Sequence, residues 1–274
     1  MGRLRWTVLA GIALAVYVFL LGPTIAVVLA SFERGQNYSF SLIPRQPSLE
    51  WYTHIPPRYL HALVVSIIVG AVSAALATVL GAMAALALVR GRLAARSALD
   101  AFFRVPLQLP AVVVAIAFLQ FYNQLALAGG FDLLGSPLGL VLAHLFFAMP
   151  YSVSSVGVLL MRIGPQYEEA AAILGATPWS TFRRVTLPTL RPGLFAGFIY
   201  AFIASFGDVP VALFVTGGSR NTTMPVEIFL SLQFDFDPAI LSLSTVVVVL
   251  SALGIIAIQR LLGLDLLLPS NRRL

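Results

Sequence analysis

The chain has 274 residues, 59% hydrophobic and 10% charged, with a formal net charge of +6 and a mean hydropathy of +0.94. That is too apolar for a water-soluble domain, and it predicts segments crossing a hydrocarbon layer ~30 Å thick. All seventeen basic residues are arginines, so there is no lysine for a Walker A phosphate loop or a Schiff base, no catalytic machinery is expected in this chain, and any ATP hydrolysis has to come from another polypeptide. Cysteine is absent and His54, His61 and His144 are scattered, so neither a disulfide framework nor a metal site is expected.

Arg3 and Arg5 precede an apolar run, 6–30, of 25 residues, longer than the ~7–15 of a signal-peptide core, so it reads as an uncleaved first span. Residues 31–60 carry Phe32, Tyr38, Phe40, Trp51, Tyr52 and Tyr59 among several prolines, the composition of a connection lying where membrane meets water. The second span, 61–89, is studded with Gly70, Ser73, Ala74, Ala75, Gly81 and Ala85; small residues let helices approach closely in lipid, so this span is expected inside the bundle. Arg90, Arg92, Arg96 and Arg104 mark the loop before the third span, 105–128, and a short loop leads to the fourth, 137–161. The fifth and sixth spans are expected at 192–215 and 239–262, separated by a loop that contains Glu227, Asp235 and Asp237. The whole chain, 1–274, reads as one membrane domain with no soluble part.

Six spans place both ends of the chain on one side. Thirteen of the seventeen arginines fall in the terminal segments and in the 90–104 and 162–191 loops, which the positive-inside rule makes cytoplasmic. The basic character is thus topological, and nucleic acid is not an expected partner.

Residues 164–188, GPQYEEAAAILGATPWSTFRRVTLP, form a polar stretch between two long apolar segments. Pro165 begins a helix, Glu168 and Glu169 suit its first turn, and Gly175 ends it in a left-handed cap. Thr177 and Pro178 open a second helix, on which Trp179, Phe182 and Val185 recur every three residues as an apolar face, with Arg183 and Arg184 pointing elsewhere. A pair of helices this small is expected to lean on a partner.

Glu169-Ala170-Ala171, Gly175, Val185 and Leu187-Pro188, at these spacings, resemble the EAA signature of the membrane permease subunits of binding-protein-dependent ABC importers. The resemblance implies that the two short helices are coupling helices docking into a groove of a cytoplasmic ATPase. The coupling set is then Glu168, Glu169, Ala170, Ala171, Gly175, Ala176, Thr177, Trp179, Phe182, Val185, Leu187 and Pro188, with Glu169 anchoring the turn on the ATPase and Gly175 allowing the bend. Ser48 to Tyr52, Ala87 to Arg92, Val209 to Phe214 and Thr222 to Pro225 are similar to the second permease of spermidine/putrescine-type importers, although Gly207 stands where that group often has a first acidic residue. The implied fold class is an all-α membrane protein of six transmembrane helices, the type I ABC importer permease fold. The implied partners are an ATP-binding subunit dimer carrying ATP and Mg, a second permease that is a homologous different chain, and a periplasmic substrate-binding protein. The implied location is the bacterial inner membrane, both termini cytoplasmic, and the cargo a polyamine-like or other small organic solute.

Asp208 is the one carboxylate inside an expected span, ~24 Å along it from Pro192. An intramembrane carboxylate is costly unless it faces water or a partner. It either attracts a cationic substrate or braces an outer gate, or it is a capped, paired structural residue. Gln120, Asn123 and Gln124 share one helix face, where they line a path or bond a neighbouring helix; Tyr122 and His144 are candidates for either role. The rival class is an ion-coupled secondary transporter or channel working without an ATPase, which calls for more intramembrane charge and repeated halves than this chain displays.

Overall fold

Apolar runs inside a hydrocarbon layer can satisfy every backbone N–H and C=O by becoming helices. The computed structural model of the chain is helical accordingly, with one isolated antiparallel bridge between Glu33 and Pro47 among the described residues. It describes residues 2–35, 44–218, 221–234 and 236–262; the expectations on Tyr38, Phe40, Asp235 and the last arginines lie outside these.

In chain order the helices are α1 (Gly2–Ala30), α2 (Glu50–Thr53), α3 (Pro57–Arg90), α4 (Arg96–Arg104), α5 (Ala111–Gly129), α6 (Pro137–Ile163), α7 (Gln166–Ile173), α8 (Pro178–Thr181), α9 (Leu187–Phe206), α10 (Pro210–Thr216), α11 (Met224–Phe234) and α12 (Ala239–Leu262). Local chemistry sets several ends. Ser136 caps α6 by accepting from Gly139 N at 3.0 Å, with Pro137 in the first turn. Gly130 ends α5 at φ +69°. Among the described residues, five segments are long and apolar enough to cross a membrane: Arg5–Ala30, Pro57–Arg90, Ala111–Gly129, Pro137–Ile163 and Pro178–Phe206. Met224–Phe234 and Ala239–Leu253 are shorter apolar stretches.

The expected fifth span needs correcting at both ends. Its helix begins at α8, not at Pro192, and runs through a π-helical turn, Phe182–Thr186, into α9. It stops at Phe206 and restarts at Pro210. Pro210 has no N–H for the carbonyl four residues back, and the helix is interrupted at 207–209, where Asp208 accepts from Ala212 N at the start of α10. Pro150 and Pro192 are carried inside continuous helices, so proline alone does not set the break.

The chain divides into two compact units, residues 1–60 with 231–274, and residues 61–230. In the first, Ser31 Oγ and Tyr52 OH lie 2.6 Å apart, and Trp51 Nε1 donates to Glu33 O at 3.1 Å. Arg58 pairs with Asp237 at 3.1 Å, and the buried Tyr59 donates to the same carboxylate at 3.0 Å. Asp237 also accepts from Ala239 N at the start of α12. These bonds make Asp237 a structural acid of this unit.

In the second unit, small residues bring three long helices together at one point. A Cβ on Gly81 of α3 would lie 2.7 Å from Ser152 Cβ of α6, and one on Gly197 of α9 would lie 3.1 Å from Ser152 Cα. Ser152 Oγ donates to Gly197 O at 3.3 Å across the second contact. Ala74, Ala77, Ala148 and Ala201 continue the seam on one side, and Ala85, Val156, Leu160 and Leu190 on the other. This is the small-residue approach expected of α3. A separate apolar cluster joins α3, α5, α6 and α10 through Val69, Val114, Leu140, Val211 and Val215.

Candidate functional site: the 164–188 connection

The polar stretch folds from its own sequence signals. Glu168 and Glu169 N–H groups both bond Pro165 O, starting α7. At its end Gly175, at φ +81°, bonds back to Ala172 O while Ala176 N reaches Ala171 O, both at 3.0 Å, the paired bonds of a Schellman cap. Thr177 then accepts from Ser180 N at 3.3 Å with Pro178 in the first turn of α8.

The two neighbouring acids have different surroundings. Glu169 is exposed, whereas Glu168 turns inward. Arg90, the last residue of α3, gives Nε to Glu168 Oε2 at 2.8 Å and Nη2 to Gly164 O at 2.5 Å, and Thr186 Oγ1 donates to Glu168 Oε1 at 3.1 Å. Thr186 is buried in the π-helical turn. Thr189 Oγ1 takes up Val185 O at 2.6 Å, a carbonyl at that irregular turn.

The outer side of the connection is apolar and uncovered. Ile173 is 86% exposed, Leu174 87% and Trp179 70%, with Tyr167 also exposed. Trp179 stacks on Phe182 with ring centroids 5.7 Å apart. Val185 departs from the expected face. The π turn carries it off the Trp179–Phe182 side, and it lines the small hollow with Arg90, Glu168 and Thr186. Ala170 and Leu187 are exposed, and Ala171, Ala176 and Pro188 half-buried.

Five participants were missed in the sequence, the exposed Tyr167 among them. Ile173 and Leu174 had a visible signal, since two large aliphatics just before a cap glycine on an otherwise polar helix have no core to enter. Arg90 and Thr186 had none, because their bonds to Glu168 span 78 and 18 residues.

Asp208 falls in the break between α9 and α10, where its carboxylate accepts from Ala212 N at 2.8 Å. His144 Nδ1 lies 2.7 Å from Ser205 Oγ, and its Nε2 faces Asp208 Oδ2 at 4.0 Å without a hydrogen bond among the described residues. His144 is buried and the Asp208 side chain only 9% exposed, so the geometry is that of a capped acid beside an imidazole. Tyr122 is buried and donates to Gly139 O at 2.9 Å, tying α5 to α6. Gln120 and Gln124 are exposed, and Asn123 borders an open hollow of about 620 Å³ with Asp132, Thr216 and Gly217. None of the three amides is hydrogen-bonded to His144 or Asp208 among the described residues.

Residues 77–266 match the family described as "Binding-protein-dependent transport system inner membrane component". The chain is 31% identical over 257 residues to the putrescine transport system permease protein PotI of Escherichia coli K12, covering 93% of this chain and 89% of that one. It is 35% identical over 216 residues to the molybdenum transport system permease protein ModB of Mycobacterium tuberculosis, covering 76% and 81%. A solved bacterial ABC transporter involved in import of the acidic polysaccharide alginate has the same fold, with a TM-score of 0.69 at 15% identity over 94% of this chain and 97% of that one. The chain therefore belongs to the family of inner-membrane components of binding-protein-dependent transport systems, as a permease subunit of an ABC importer. Membership implies an ATPase, a second permease and a binding protein as partners.

Proposed function

We propose that this permease supplies half of a solute pathway and takes its driving force through the 164–188 connection, gripped on the cytoplasmic side by an ATPase dimer that carries the ATP and Mg. The second permease is a homologous, different chain, and a periplasmic binding protein delivers the cargo. ATP binding draws the ATPase subunits together, the connection moves with them, and the spans turn from inward- to outward-facing; hydrolysis resets them. The observation that carries this reading is the exposure of Tyr167, Ile173, Leu174 and Trp179 on this short connection. Large apolar side chains clustered on a short capped element mark a protein-binding surface. Glu169, which is exposed, anchors the turn by polar contacts with the ATPase.

The test is copurification from native membranes through a tag on this chain. Ile173→Ser combined with Leu174→Ser should lower the ATPase recovered about tenfold or more, as loss of a central apolar anchor does. Recovery unchanged in that variant would refute the assignment.

For the cargo, the resemblance to spermidine/putrescine permeases and the 31% identity to a putrescine permease support a polyamine-like or other small organic solute. The Asp208 carboxylate, turned to its own helix and to His144, fits a brace of the fifth span better than a substrate contact. Competition of putrescine against molybdate for the binding protein of the same assembly decides between the two solute types found among the relatives.

A further inference from the structure

We infer that Arg90 is a positioning residue of the transport cycle, fastening α7 to the end of α3 so that displacement of the connection is delivered directly to the second span. This deepens the reading above and rests on it. Along the chain, the connection is joined only to α6, through Gly164, and to α9, through the π-helical turn. A push on α7 alone would reach α3 only after passing through one of those helices. The Arg90 guanidinium removes that detour, because one rigid planar group bonds both the carbonyl of Gly164 and the carboxylate of Glu168. Glu168 in turn holds Thr186 through its other oxygen. Three segments, the end of α3, the start of α7 and the π turn before α9, thereby share one carboxylate.

Two further features suit transmission. The Arg90 and Glu168 side chains are 22% and 25% exposed, and the free volume beside them is about 10 Å³, close to the least that one water needs. The pair is therefore partly shielded from solvent. Only about a turn and a half of helix separates Arg90 from Ala85, which is packed with Val156, Leu160 and Leu190 of α6 and α9, so force arriving at Arg90 enters a close-packed seam. Glu168 thus acts inside the permease and Glu169 outside it. Two adjacent acids divide transmission from docking.

The experiment uses the intact importer in proteoliposomes, with the ATPase recovered, the binding-protein-stimulated ATPase rate and an internal distance all measured. The chain has no cysteine, so with the partner subunits also made cysteine-free, spin labels at Met83→Cys on α3 and Gln166→Cys on α7 report the α3–α7 separation alone. With Arg90 present, that distance should stay single and narrow with and without ATP and vanadate. In Arg90→Gln it should broaden, and the stimulated rate should fall about tenfold, within the usual range of coupling energies, with ATPase recovery unchanged. Arg90→Lys keeps the charge but not the two-pronged bond and should fall between. Thr186→Ser should match wild type, and Thr186→Val should broaden the distance without Arg90 being altered. A narrow distance and a full stimulated rate in both Arg90→Gln and Thr186→Val would overturn the inference. So would loss of the ATPase itself from Arg90→Gln, since that places Arg90 in docking or in the fold. If instead the Ile173/Leu174 variant keeps its ATPase, the docking surface fails and the latch is judged on the distance measurement alone.

Discussion

Gly175 stands at φ +81° with nothing within 4 Å of the position a Cβ would take, so a substitution there is opposed by backbone strain alone. A left-handed position costs an ordinary L-residue roughly 1–2 kcal/mol, and β-branching raises that further. Gly175→Ala should therefore lower thermal stability slightly and keep uptake. Gly175→Val should open the Schellman cap, swing α8 away from α7 and separate ATP turnover from uptake. Full uptake by the valine variant, measured with the solute bound by the partner binding protein, would contradict the importance of that bend. A similar separation of chemistry from geometry applies to Asp208. Asn keeps an oxygen for Ala212 N while losing the charge, whereas Ala loses both. Asp208→Ala should destabilise by about 1 kcal/mol, the usual cost of a lost cap, and Asp208→Asn should not. Uptake that fails in Asp208→Asn despite wild-type melting would assign the charge itself a transport role, and uptake that persists would leave Asp208 a brace.

Elements meet where side chains are smallest, and Ser152 is where α3, α6 and α9 converge. Gly81 has backbone as well as side-chain atoms of α6 against it, at 3.0 Å for Val153 N, so no rotamer change can make room for a larger residue. Gly81→Val should force α3 off α6 and cost at least the ~1–3 kcal/mol of an overpacked core, seen as a lower melting temperature in detergent. Gly157 lies buried on α6 but has nothing within 4 Å of a Cβ, so Gly157→Ala should melt like wild type or slightly higher. Equal sensitivity at the two glycines would mean that helix propensity, not interhelical contact, governs this seam. The small-residue pattern of α3 was readable in the sequence because it is local and periodic. The break at 207–209 was not read. Gly207-Asp208-Val209-Pro210 carries turn-forming residues, but the long apolar segments on either side favour one continuous span with Asp208 inside it. The shift of Val185 was hidden for a related reason, since a three-residue spacing assumes a regular helix and a π turn changes the angle between Phe182 and Val185.

Over the whole molecule, composition revealed the membrane class and the signature revealed the family, since both are carried by residue types and short spacings. The Arg90–Glu168–Thr186 cluster was not legible, because a contact over 78 residues depends on how α3 and α7 are placed in space. Orientation in the membrane rests on the arginine count alone, and it has consequences for every role assigned above: the exposed apolar row can meet an ATPase only from the cytoplasm, and the hollow beside Asn123 and Asp132 then opens to the periplasm. The absence of cysteine makes the orientation directly measurable. Leu93 and Phe131 are both exposed, in the loops after α3 and after α5, and neither takes part in the docking surface or the Arg90 cluster. A membrane-impermeant maleimide applied to intact spheroplasts should label Phe131→Cys and spare Leu93→Cys, and permeabilising the membrane should make Leu93→Cys reactive without changing Phe131→Cys. The opposite pattern would put the 164–188 connection outside the cell, where no ATPase could hold it, since 162–191 lies on the same side as 90–104 whenever α5 and α6 both cross.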